Sequence, residues 1–459
     1  MTPEQDIAYN RALDWMYESL NERGHLGKGL GDSARRHPTW TRALLDALGA
    51  PDADIPSLLV VGSKGKGSTS SLAAAALGAL GRPVGLSTSP HLVDVRERVR
   101  LDLRAIDAVA LTERLEALRP VADALRRRMP SPAYQSPVGL MAVVGAVHFA
   151  AMGAAYAVYE AGRGGLVDDV AEVAHQVVAT TPILLEHRQE LGPGLPDIAR
   201  HKAGAIRPGT RVVVTGALVP AAAAAMAHRA RAVGAERLRL GREVRAVRLA
   251  TLADGRERVR IETPYGVHRA LDVPYAGPHQ ADNLAVAVTA AEALAGRRLP
   301  TEALAQSLSR VRWPGRLETL RLPGGGAVLL DGAIEPAAVA RALDHAHAFL
   351  PAPYAVVIGA GTDKRPLELW NTAAAPGHWT VVTRAHAPHL HFPANAEAES
   401  WAAEDRSRRA SMPELSDALR EARERATTTG TVVVVGTLSL IGEALHLLGE
   451  DAADLIRPS

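Results

Sequence analysis

Residues 57–80 read SLLVVGSKGKGSTSSLAAAALGAL: a short apolar run, a glycine-rich turn, then an alanine-rich stretch. Ser57 to Gly62 has the profile of a buried strand, and Ser68 to Leu80 the composition of a helix. Between them lies Gly62-Ser63-Lys64-Gly65-Lys66-Gly67-Ser68-Thr69. Glycines there let backbone N–H groups curl around an anion at the helix N-terminus, where the helix dipole adds its attraction. Lys66 is placed to reach the terminal phosphates of a nucleotide, with Ser68 or Thr69 facing a metal. Gly67 separates Lys66 from Ser68, a departure from the common G-x-x-x-x-G-K-[ST] spacing. A turn without function is the bland alternative, and the strand–turn–helix context argues against it.

Outward from this stretch, a second strand covers Val84 to Ser87, and others are predicted at Ala155 to Glu160, Gln176 to Thr180 and Arg211 to Thr215. Short apolar strands alternating with longer helical stretches make a parallel sheet with crossover helices. Between Arg237 and Tyr275 the residues alternate around the turn Ala253-Asp254-Gly255, which predicts a small antiparallel excursion. A second set of strands begins near Ala327, Tyr354, Trp379 and Thr431, and Trp313-Pro314-Gly315 lies between the two sets. The chain thus reads as α/β, with a large nucleotide-binding domain over 1–312 and a smaller α/β domain over 313–459.

The chain has 459 residues, which fits two domains better than one core. Its 52 basic and 50 acidic residues nearly balance, against the one-sided positive charge of a nucleic-acid binder. It contains no cysteine, which excludes disulfides and thiol chemistry. The N-terminal MTPEQDIAYNRALDW lacks a basic n-region and an apolar h-region, so no secretion signal is expected and the cytoplasm is the expected compartment. Val138 to Tyr159 is almost free of polar side chains; it reads as a buried helix ending near Met152 and then a strand, not a membrane span. Only five lysines occur, Lys28, Lys64, Lys66, Lys202 and Lys364, in a chain that otherwise uses arginine. Lysine kept at so few places points to positions needing a compact or deprotonatable amine.

The loop spacing G-x-x-G-K-G-S resembles that of the Mur ligase superfamily, and specifically the folylpolyglutamate synthase/dihydrofolate synthase family. Ser87-Thr88-Ser89-Pro90-His91-Leu92 followed by Arg96-Glu97-Arg98, Glu160-Ala161-Gly162-Arg163-Gly164-Gly165, Glu186-His187 and His201-Lys202-Ala203-Gly204 are similar to its motifs, in its order. So are Gly277-Pro278-His279-Gln280 with Asn283, Trp313-Pro314-Gly315-Arg316-Leu317-Glu318, Asp331-Gly332-Ala333, Asp363-Lys364 and Gly436-Thr437-Leu438. The resemblance runs from about Gly24 to Gly442.

The resemblance implies a parallel-sheet ATP-binding domain containing the phosphate loop, followed by a Rossmann-like α/β domain. It implies an ATP-dependent amide ligase that adds L-glutamate to dihydropteroate or a reduced folate through an acyl phosphate, releasing ADP and phosphate. ATP and Mg²⁺ are the implied cofactors, and the partners are small molecules, with no nucleic acid or membrane and a monomeric chain. Lys66, Lys202 and His187 are the implied catalytic residues. Ser68, Ser89, Glu160 and His187 are implied metal ligands, joined by Lys202 if it is carbamylated. His279 and Asn283 fall on the adenine side, while Arg316 and Asp331 approach phosphates and ribose from the second domain. Pro90, His91, Arg163, Asp168, Asp363 and Lys364 are implied to bind the acid and the amine.

Several positions depart from the family pattern. Its D-G-A-H-N-P reads Asp331-Gly332-Ala333-Ile334-Glu335-Pro336, which removes a donor and adds a negative charge. Its R-L-D reads Leu166-Val167-Asp168, Lys64 replaces the usual asparagine, Glu186 replaces an aspartate, and Tyr134-Gln135 replaces Phe-Glu. These departures leave two other readings open: a ligase for a non-folate pair, and a nucleotide-binding protein that has lost ligation.

Overall fold

The computed structural model describes residues 2–26, 31–32, 36–387 and 390–456, so Lys28 lies outside the described residues. The strand at 57–61 is β1, at the heart of a larger sheet. Its neighbours are β2 (Val84–Ser87), β3 (Val99–Leu101), β4 (Arg104–Ala105), β5 (Tyr156–Glu160), β6 (Val177–Thr180), β7 (Val212–Thr215) and β8 (Glu236–Arg239). They lie in the order β4-β3-β2-β5-β1-β6-β7-β8. All pairings are parallel except those of β3, which runs antiparallel to β2 and β4.

β1 is buried along its whole length because helices cover both faces of the sheet. Leu58 and Val60 pack on one side with Leu72 and Leu77 of the loop helix Lys66–Gly78; Leu59 and Val61 pack on the other with Val143 of the helix Pro137–Ala151. The loop helix is itself buried on every side between the sheet and the helix His279–Ala295, so serine and alanine replace larger residues along it. The apolar stretch at 138–159 is this buried helix followed by β5, and no described helix is long and apolar enough to cross a membrane.

The antiparallel excursion starts later than the predicted Arg237, because 236–239 joins the large sheet as β8, parallel to β7; it is a three-stranded sheet of β9 (Arg245–Thr251), β10 (Arg256–Thr263) and β11 (Gly266–Ala276). The second lobe holds β12 (Glu318–Arg321), β13 (Ala327–Asp331), β14 (Tyr354–Gly359), β15 (Trp379–Val382), β16 (Arg409–Ser411) and β17 (Thr431–Gly436), in the order β12-β13-β17-β14-β15-β16. Only β12 runs antiparallel there.

Several contacts tie the lobes together. Leu92, just after the Ser87–His91 segment, packs on the second lobe's core. The 253–255 turn of the excursion lies against His345 and Phe349 of the helix Pro336–Phe349. Residues 453–456 return to the first lobe: Leu455 N–H donates to Leu103 O at 2.9 Å, and Arg100 Nε donates to Ala453 O at 2.8 Å.

Candidate active site

The phosphate loop is a rigid turn rather than a slack one. Ser63 N–H donates to Pro182 O at 2.8 Å, and Ser63 Oγ accepts from Leu184 N–H at 3.0 Å. Gly65 caps the loop helix at φ 85°, a left-handed conformation that side chains resist. The helix starts at Lys66, two residues earlier than the sequence predicts, and Lys66 Nζ curls back to Ser63 O at 3.4 Å. The unusual glycine after Lys66 has a packing reason. A Cβ at Gly67 would lie 2.6 Å from Trp313 Cζ2, so the indole rests directly on the helix's first turn. Ser68 and Thr69 are buried beneath it. Asn283, from the next helix, lies against Gly65, with its Oδ1 2.9 Å from where a Cβ would stand, and donates to Gln280 Oε1 at 2.9 Å.

Glu160 ends β5 beside this turn, and its Oε2 accepts Ser89 N–H at 3.1 Å. Burial pushes its carboxyl above the usual carboxylate range, while Lys66, the Ser89 amide, Arg316 and Arg100 oppose the shift. Arg316, from the second lobe, therefore acts on a carboxylate of the first. Its Nη1 donates to Gly315 O at 3.1 Å and packs on Gly332, next to Asp331, whose Oδ2 accepts Leu317 N–H at 2.8 Å. His279 opens its helix at the excursion's end, and burial together with Arg341 and Arg248 lowers its imidazole pKa.

Lys202 lies under the loop, 1% exposed, and donates to Gly62 O at 2.7 Å and to Glu186 Oε1 at 3.1 Å. Burial and Lys66 push its amine below the ordinary lysine range against the pull of Glu186. Burial would raise Glu186, but Lys202, Ser63 and Lys66 outweigh it and hold the carboxyl low. His187 stands next in the chain at φ 49°, with its side chain 44% exposed and its pKa lowered by burial.

The expected acid-binding residues are placed differently from one another. Arg163 grips Asp32 with two hydrogen bonds of 2.9 and 2.6 Å and Glu190 with one of 2.9 Å, so carboxylates of this chain already engage its guanidinium. Asp168 is buried; its Oδ1 accepts Val170 N–H at 3.0 Å, while its Oδ2 has no hydrogen-bond partner among the described residues. Neither ring nitrogen of buried His201 has a hydrogen-bond partner among the described residues, and burial lowers its pKa against the charges of Asp32 and Asp168. Pro90 follows a cis peptide bond and is exposed, and His91 Nδ1 accepts from Arg98 Nε at 2.9 Å. Asp363 and Lys364 pair with each other at 2.9 Å in the second lobe. Among the described residues no hydrogen bond or ion pair joins either of them to the phosphate loop.

Sequence reading gave no site role to several participants: Trp313, Arg98 and Gln280, which appear only within family-like motifs, and Arg100. Arg98 borders the small cavity formed by Ser87, Thr88, Ser89 and Glu160. The Arg96-Glu97-Arg98 motif was the available signal, but nothing in its spacing says which arginine faces inward.

This geometry defines a class: a two-lobed phosphate-loop protein, whose loop amides, two amines and one buried carboxylate face an arginine from the second lobe. Comparison with known proteins narrows it. The chain is 31% identical over 324 residues to the folylpolyglutamate synthase of Lacticaseibacillus casei, covering 70% of this chain and 74% of that protein. It is 30% identical over 347 residues to the dihydrofolate synthase/folylpolyglutamate synthase of Mycobacterium tuberculosis, covering 71% and 70%. A probable bifunctional folylpolyglutamate synthase/dihydropteroate synthase of Halobacterium salinarum is 33% identical over 409 residues; the chain spans about half of it, 48%. Its fold matches the Mycobacterium tuberculosis folylpolyglutamate synthase complexed with ADP and AMPPCP, with a TM-score of 0.82 and 25% identity over 91% of this chain and 97% of that one. No family model matches the chain. The chain belongs to the folylpolyglutamate synthase/dihydrofolate synthase family.

Proposed function

We propose that this chain is an ATP-dependent ligase that joins L-glutamate to dihydropteroate or a reduced folate. The observation that carries this reading is the rigid loop at 62–67, with Lys66 and Lys202 beneath it, Glu160 beside it and Arg316 opposite. A triphosphate gripped by loop amides and Lys66 meets charge compensation from two lobes. Such preorganised charge is what phosphoryl transfer needs, since the protein supplies positioning and electrostatics and no nucleophile. The acid's carboxylate attacks the γ-phosphorus, ADP leaves, and the acyl phosphate then loses phosphate to the incoming amine.

The donors also fit a magnesium ion. Ser68, Ser89 and Glu160 offer hard oxygens, and His187 follows Glu186, the carboxylate that accepts from Lys202. No described group of three or more acids and histidines could hold a metal by itself, so nucleotide phosphates and waters would complete its shell. When bound, the ion supplies charge neutralisation at the phosphate oxygens. Lys202, as an ammonium, holds the loop through Gly62; its lowered pKa also favours the neutral amine that carbamylation requires.

For the acid, Asp168 Oδ2 is a buried acceptor suited to ring N–H donors such as those of a pterin. His91, Pro90 and Arg163 frame the approach, Asp363 and Lys364 serve the amine, and His279 with Asn283 takes the adenine side. The reading divides the chain at Trp313, with 453–456 handed back to the first lobe, and carries a cytoplasmic monomer. Purified protein with ATP, Mg²⁺, L-glutamate and either dihydropteroate or tetrahydrofolate should release ADP and phosphate in step with amide formation. ATP binding without turnover on either acid would overturn it.

A further inference from the structure

Lys64 and Glu335 both depart from the family pattern, in segments 271 residues apart, and they meet. Lys64 Nζ lies 3.3 Å from Glu335 Oε1, across the cleft between the phosphate loop and the second lobe. Glu335 occupies the N-cap position of the helix Pro336–Phe349, yet its side chain makes no capping hydrogen bond. An acidic side chain there ordinarily turns back to the first-turn amides, where the helix dipole also favours it. The carboxylate reaches the loop lysine instead. The two side chains stay 49% and 52% exposed, so water screens the pair and it adds little to folding stability. A contact of that strength can form and break as lobes open and close.

We propose that Lys64 and Glu335 act together as a cross-lobe latch that seats the Asp331–Pro336 segment, and with it Arg316 packed on Gly332, over the phosphate loop. Both are positioning residues for the reaction, and the proposal rests on the ligase reading. The same pairing gives Glu335 a local role: its charge is met by Lys64 instead of standing open to an anionic amine substrate.

The test is a cycle of neutral variants, Lys64→Met, Glu335→Gln and the double, with kcat and each KM measured, and ADP affinity of the wild type measured by calorimetry. Each single variant should lower kcat about three- to fivefold, the limit for an exposed pair. KM for the acid should stay within about twofold, and the double should be no worse than the poorer single. Glu335→Asp should recover most of the loss. Raising salt from about 0.05 to about 0.5 M should shrink the gap between wild type and Glu335→Gln. Losses that multiply in the double, or a Glu335→Gln enzyme equal to wild type at low salt, would overturn the latch while leaving ligation intact. Wild-type protein that binds no ADP would overturn both.

Discussion

Two polar clusters follow the carboxyl ends of neighbouring parallel strands, β1 and β5, and they are finished differently. At the phosphate loop, β1 and β5 deliver a turn whose groups are pinned: Ser63 is bonded through N–H and Oγ, Lys202 donates twice, and Trp313 covers Gly67. Under the Gly162–Gly165 turn, Asp32, Arg36, Asp168, Asp169 and His201 crowd together with Asp168 Oδ2 and His201 left without partners among the described residues. Buried polar atoms are costly when unpaired and normally find partners. On the proposed function, the first site is preorganised for the nucleotide, and the unpartnered atoms of the second are available to the acid.

The sharpest way to break this contrast is Lys66→Ala. It should cut turnover at least about a hundredfold, the scale for removing one preorganised charge donor, with an unchanged melting temperature. An unaltered rate would remove the loop from the chemistry. Gly67→Ala should come next: a Cβ 2.6 Å from Trp313 must displace the indole, costing about 1–3 kcal/mol of stability and weakening ADP binding in calorimetry. Pairing it with Trp313→Phe should restore part of both. Asp168→Asn should instead raise KM for the acid about tenfold and leave KM for ATP alone; equal effects on both would merge the two pockets into one.

The smallest expected effect is on stability against pH. Burial and Asp168 raise the Asp169 carboxyl from 3.8 to about 6, against Arg36, Thr41 and Ser136. A raised acid pKa means the folded state holds its proton more tightly, so this stabilisation is full below pH 3.8 and disappears as pH rises through about 6. Asp169→Asn should therefore gain stability relative to wild type as pH rises across that window, measured by denaturant titration. A constant difference would contradict the burial argument.

The phosphate loop was legible because its chemistry is local. Eight consecutive residues carry it, and the strand and helix on either side announce themselves by apolar pattern. The parallel strands, the excursion and the second sheet were visible for the same reason. The short strands β3, β4, β12 and β16 were not, and β8 was read into the excursion, since strands this short carry too few residues for a period to show. The cluster under the Gly162–Gly165 turn was least legible. Asp168 was found only through family likeness, while Asp32, Arg36 and Asp169 are brought together by tertiary packing, 137 residues apart at the extremes. Arg163 shows the opposite lesson: a free-looking arginine in the sequence is committed to Asp32 and Glu190 in the fold.

The central claim is that the acid's own carboxylate takes the γ-phosphoryl group from a nucleotide held by this loop. Dihydropteroate carrying ¹⁸O in its carboxylate, incubated with the enzyme, ATP and L-glutamate, tests it directly. One labelled oxygen should appear in each phosphate released and the other in the amide carbonyl. Phosphate free of label, or label recovered in AMP, would contradict the account.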